Sequence, residues 1–153
     1  MAETTGTTSR TDANLDSALQ HATTEIGRTD SKAAALLTLD GLLVAALSLL
    51  DGGLGTVSLV LAVIGGVALA AGVLGALLVV RPRLPRGEAD RCNFAYFAQA
   101  DAQTLQEGLA EDRRLPRLQA LSALALRKMR ALRIAGDATA VAVVTIAAAV
   151  LAK

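Results

Sequence analysis

The sequence predicts an all-α membrane protein: three transmembrane helices with cytoplasmic helical extensions, namely an N-terminal helix and a helical pair between the second and third spans. Three observations lead there. No charged residue occurs from Gly52 to Val80, a run long enough to cross a hydrocarbon core about 30 Å thick. None occurs from Ala138 to Ala152 either. The chain is 53% hydrophobic but only 2% aromatic and has no Trp. A soluble core of this size draws heavily on rings, which bury the most area per residue. Ala, Leu, Val and Gly instead suit helices packed closely in lipid. A soluble helical bundle is the competing fold, and the long charge-free run argues against it.

The elements follow in order. Residues 1–11 are rich in Thr, Ser and Gly and read as disordered. Residues 12–153 read as a single membrane domain. Asp12 suits an N-cap, and Leu15, Leu19, Ala22 and Ile26 recur at helical spacing, giving a helix over 12–32. The first span follows at 33–50, interrupted by Asp40. Its eight leucines and one valine, at roughly −0.3 to −0.6 kcal/mol each, offset a central Asp costing about 2.5 to 3.5 kcal/mol. Asp51-Gly52-Gly53-Leu54-Gly55 reads as a tight turn. The second span is 56–80. Arg81-Pro82-Arg83-Leu84-Pro85-Arg86 ends it, because proline cannot continue the helix and arginine suits the headgroup level. Asn93 caps a helix over 93–111, and Pro116 falls in the first turn of another over 116–133. That helix runs directly into the third span, 134–152, which contains Asp137.

Lys and Arg set the orientation. Three precede the first span, eleven lie between Arg81 and Arg133, and the expected hairpin turn holds none. The N-terminus and the middle region are therefore expected in the cytoplasm, with a multi-pass chain in the cytoplasmic membrane. The polar first 32 residues offer no apolar core for a cleavable signal.

Several chemistries find no support. A single cysteine, Cys92, allows no internal disulfide or cysteine metal cluster, and a single His21 allows no metal-ligand set. No phosphate-cradling glycine loop is present, and no Ser or Cys nucleophile motif accompanies His21. Neither an enzyme, a metal, a cofactor nor a nucleic-acid partner is expected, and the net charge of +1 gives nucleic acid no electrostatic footing.

Three features could carry function. Asp40 and Asp137 both fall in the cytoplasmic leaflet, where they could face one another or a shared polar cavity marking an ion path. The structural alternative is that each reaches water or a snorkelling Lys32 or Arg133, and for Asp137 this is the preferred reading. Small residues recur four apart in Ala62, Gly66, Ala70 and in Ala68, Gly72, Ala76. They could form a close helix contact, within or between protomers. Arg127, Lys128, Arg130 and Arg133, with Arg113, Arg114 and Arg117, could hold a phosphate-bearing ligand. Anchoring against anionic lipid is the ordinary reading of the same charges.

Arg28-Thr29-Asp30-Ser31-Lys32-Ala33-Ala34 opening an apolar hairpin, Arg81-Pro82-Arg83 closing it, and Leu126-Arg127-Lys128 before the last span form an ordered set. In this order and topology the chain resembles the transmembrane effector family of Pycsar, the pyrimidine-cyclase antiphage system of bacteria. Asp40 departs from the pattern, which favours an amide or small polar residue there. The resemblance implies a defence effector that impairs the cytoplasmic membrane of an infected cell. The trigger it implies is a cyclic pyrimidine nucleotide made by a partner cyclase. It adds Arg28 and Lys32 to the candidate ligand contacts. Three spans with two acids cannot line a wide pore alone, so permeabilisation implies a homo-oligomer. The alternative function is a structural or adaptor membrane protein, such as a plasmid-transfer or assembly factor binding a cytoplasmic protein. A small transporter subunit or channel is a weaker third reading, because the spans lack proline breaks and clustered polar residues.

Overall fold

A computed structural model of the chain describes residues 3–48, 55–81, 98–103, 105–106 and 111–152. Among the described residues there are three helices and no strand: α1, Glu3–Ser48; α2, Thr56–Val80; and α3, Arg114–Leu151. All three are long and apolar enough to cross a membrane. The turn expected at 51–55, apart from Gly55, lies outside the described residues, as do Pro82 to Arg86, Asn93 and much of the helix expected over 93–111.

Helix α1 begins at Glu3, inside the stretch expected to be disordered, so Asp12 sits within the helix and is not its cap. Extending an existing helix by one residue adds a hydrogen bond without a new nucleus. Further along α1, Thr23 Oγ1 donates to Leu19 O at 2.9 Å and Thr24 Oγ1 to Gln20 O at 2.9 Å. Within the first span, Thr38 Oγ1 donates to Ala34 O at 3.2 Å. A hydroxyl turned back on its own helix brings no unsatisfied donor into lipid.

Helix α3 starts where Asp112 accepts the backbone N–H of Arg114 at 3.1 Å, an Asx-type start. Pro116 lies in its first turn, where a missing N–H costs nothing.

The chain divides into two compact units. One holds Met1–Glu25 and Pro82–Ala125. Here the first part of α1 and the first part of α3 are joined by Arg114, which donates to Asp12 at 2.6 Å and to Asp16 at 3.2 Å.

The other unit holds Ile26–Arg81 and Leu126–Lys153 and contains the apolar lengths of all three helices. Its buried positions keep a four–three spacing. On α2 they are Ser58, Gly65, Leu69, Gly72, Ala76 and Val79. On α3 they are Ala135, Thr139, Ala142, Ile146 and Ala149. Such a repeat is the seam of a left-handed bundle with helices crossing near +20°. Large aliphatic residues point outward instead: Val57, Val63, Val67, Leu74, Ile134 and Val144 are all more than half exposed. Small and polar inside, branched and apolar outside, is the arrangement expected of helices solvated by lipid.

Candidate functional site

The α2–α3 contact is made by glycines. A Cβ at Gly65 would lie 2.7 Å from Ile146 Cγ1, and one at Gly72 would lie 2.7 Å from Thr139 Oγ1. At Gly75 it would lie 2.9 Å from Ala135 Cβ. These pairings run in opposite directions along the two helices, so α2 and α3 are antiparallel. At the far end Ser58 donates to the carbonyl of Ala149. Leu69, Ala142 and Ile146 form the apolar core, with Leu43 and Leu47 of α1 packed on it.

Two polar contacts fix α1 against α3. Thr139 Oγ1 donates to Asp40 Oδ1 at 2.8 Å, and Lys128 Nζ donates to Asp30 Oδ1 at 2.5 Å. Both pairings have nearly the same offset in sequence, so the helices run parallel and in register. Asp40 is 0% exposed, and its Oδ2 has no hydrogen-bond partner among the described residues. Thr139 is also buried, and Gly72 lies against its hydroxyl. Asp40, Thr139 and Gly72 thus form a node where all three spans meet.

Asp137 does not join it. It is exposed on α3. Residues 137 and 139 are about 200° apart around a helix, so when Thr139 faces α1, Asp137 faces away. The two intramembrane acids do not share a cavity in this structure.

The Asp30–Lys128 pair unites two of the sequence motifs and places the basic residues. It sets Arg28 and Lys32 on α1 level with Arg127 and Arg130 on α3. Between Arg28 and Lys32, and between Arg127 and Arg133, there are six cations and one acid. Arg127, Arg130 and Arg133 are exposed and pair with no described residue. Lys128 is half-buried, with its ammonium held by Asp30. Arg28 and Lys32 are exposed. Antiparallel α2 ends at Arg81, which comes level with Arg130, so the positive belt involves all three helices.

Gly66 and Gly72 fall on different faces. Gly72 meets α3, whereas the nearest atom to a Cβ at Gly66 is Leu47 Cδ2 of α1 at 3.6 Å. Gly66 lines an apolar groove of about 410 Å³ with Val44, Leu47, Leu69 and Ala70. Four-residue spacing therefore reached the seam at Gly72 and Ala76 but missed Gly65, which a seven-residue repeat of small residues would have added.

In the other unit Arg114 is committed to acids. Besides Asp12 and Asp16, it donates through Nε and Nη2 to Asp112 at 3.0 and 2.9 Å. Those hydrogen bonds, with the one from its backbone N–H, hold the Asp112 carboxyl down to about 2 from an ordinary 3.8. Hydrogen bonds to Asp112, Asp16 and Asp12 in turn push the Arg114 guanidinium above its usual range. Sequence spacing gave no sign that Asp12 and Asp16 join this cluster, because they lie 102 and 98 residues from Arg114. Among the described residues no group of three or more His, Cys, Asp or Glu could hold a metal ion.

Spans with aliphatic exteriors, a polar and small-residue seam and a cationic belt at one end define a multi-pass membrane protein. The chain belongs to the PycTM family: residues 14–153 match the Pycsar effector protein domain. It is thus a member of a family of antiphage effectors, associated with membranes and with cyclase-linked defence. No curated protein and no solved structure matches the sequence.

Proposed function

We propose that this protein is the membrane-damaging arm of a nucleotide-signalled antiphage response. A cyclic pyrimidine nucleotide made by a partner cyclase binds the cytoplasmic end of the bundle. The helices then rearrange, and the cytoplasmic membrane loses its barrier, ending infection with the death of the cell. The family match over residues 14–153 carries this reading.

The belt supports the sensing part. A phosphodiester needs cationic donors that are not already spent on acids, and among the described residues Arg127, Arg130 and Arg133 meet that condition. Arg28 and Lys32 stand at the same level on α1. Lys128 joins them only if Asp30 releases it. A ligand that drew Lys128 away from Asp30 would loosen α1 from α3, coupling binding to bundle geometry. Ligand-driven opening requires tighter binding to the opened or assembled state, and self-association of the chain supplies such a state. With the belt facing the cytoplasm, the N-terminus lies on the cytoplasmic side.

The test is a membrane-potential dye in cells expressing the protein, with and without cyclic UMP or cyclic CMP. Depolarisation follows nucleotide addition in the wild type. In Arg127→Glu/Arg130→Glu it is lost while membrane insertion persists. Unchanged depolarisation in that double variant removes these arginines from sensing. A wild type that keeps its potential with either nucleotide refutes the triggered-damage reading.

A further inference from the structure

The seam between the spans carries a carboxyl group that packing does not require. Asp40 is 0% exposed within the first span, and only Oδ1 has a partner. Oδ2 is buried and unpartnered among the described residues. An acid inside hydrocarbon is costly, and its volume could be filled by Asn or Leu. Further hydroxyls follow along the same seam. Thr145 Oγ1 lies 2.9 Å from where a Cβ of Gly65 would be, and Ser58 donates to the carbonyl of Ala149. At 1.5 Å per residue, Thr139, Thr145 and Ala149 are separated by about 9 and 6 Å, gaps that one or two water molecules bridge.

We propose that Asp40 is a proton-binding site, and that the leak opened in this membrane protein is a proton leak relayed through its carboxyl. This rests on the membrane-damage reading above and names the ion that moves. When the seam loosens, water enters between the hydroxyls and reaches Oδ2. A hydronium on the outer side gives its proton to Oδ2, forming one O–H bond. That bond breaks toward water on the cytoplasmic side, and the carboxylate is restored. One positive charge crosses per cycle, driven by the inside-negative potential, and no other reactant is consumed.

The chemistry of the seam favours a proton over a metal cation. A cation sheds its hydration shell only where several oxygens replace it together. The seam offers one carboxylate and hydroxyls spaced one at a time, between Leu69, Ala142 and Ile146. A proton needs only one acceptor at each step. No titratable residue of α2 lies within the span, since Thr56–Val80 contains none. On α3, Asp137 faces away from Asp40. The acid therefore has Thr139 as its polar neighbour and no described counter-charge beside it.

The experiment uses the full chain in vesicles of phosphatidylethanolamine and phosphatidylglycerol, with a pH dye and carboxyfluorescein inside. An inside-negative potential is imposed with potassium and valinomycin, with and without cyclic UMP or cyclic CMP. Wild-type vesicles acidify inside. Asp40→Asn, which keeps an acceptor for Thr139 but cannot relay a proton, acidifies about tenfold or more slowly. Asp40→Glu retains the flux, and equal incorporation and helicity of all three chains exclude misfolding. Proton entry in Asp40→Asn at the wild-type rate overturns the relay. If carboxyfluorescein escapes equally from both, membrane damage stands and only the proton route falls. Wild-type vesicles that hold their pH under every condition overturn both readings. Constitutive flux that Asp40→Asn abolishes supports the relay and removes the nucleotide trigger.

Discussion

The two oxygens of Asp40 live in different surroundings, one receiving the Thr139 hydroxyl and the other facing no described donor. The acid was visible in the sequence because charges inside apolar runs are rare. Its partner was not, since a threonine ninety-nine residues away carries no signal of its own. The same holds for Arg114, whose partners Asp12 and Asp16 look like ordinary surface acids until the helices pack. Outside the membrane, Asp112 makes a pH prediction. Its folded value is lowered, so its contribution is fully present above about pH 3.8 and disappears as pH falls through about 2. Circular dichroism between pH 4 and 2 should show a loss of helix in the wild type that is smaller in Asp112→Asn. Equal acid losses in the two would remove Arg114 as the cause.

Among the helices, α2 was the most legible: an uncharged run bounded by glycine and arginine matches Thr56–Val80. The start of α1 at Glu3 was not legible, because Thr favours strands and Gly weakens a helix interior. Helix packing was legible in kind but not in register. In a helix so rich in Ala and Gly, several small-residue spacings compete, and only the shape of α3 selects the Gly65–Gly72 face. This gives a contrast. Gly65→Leu drives a side chain into Ile146 and should cost about 1–3 kcal/mol in reversible unfolding from detergent. Gly66→Ala meets only Leu47 at 3.6 Å and should stay within about 0.5 kcal/mol of wild type. Equal effects at the two positions would misplace the seam.

Taken whole, the molecule spends its few polar groups where helices touch and turns its aliphatic residues outward. In water those outward Val, Leu and Ile side chains would each forfeit about 1.5–3 kcal/mol of burial. Lipid removes that penalty and leaves the seam to set geometry. The clustering of Lys and Arg was readable in the sequence because it is a property of composition along the chain. The Asp30–Lys128 contact, which ties two of its motifs together, needed the third dimension. The role of the seam and of the belt depends on the three helices being solvated by hydrocarbon. Alkaline carbonate extraction of membranes from expressing cells tests this most directly. The full-length chain should remain in the membrane pellet and enter solution only with detergent. Its release into the carbonate supernatant as a monodisperse species would contradict the account.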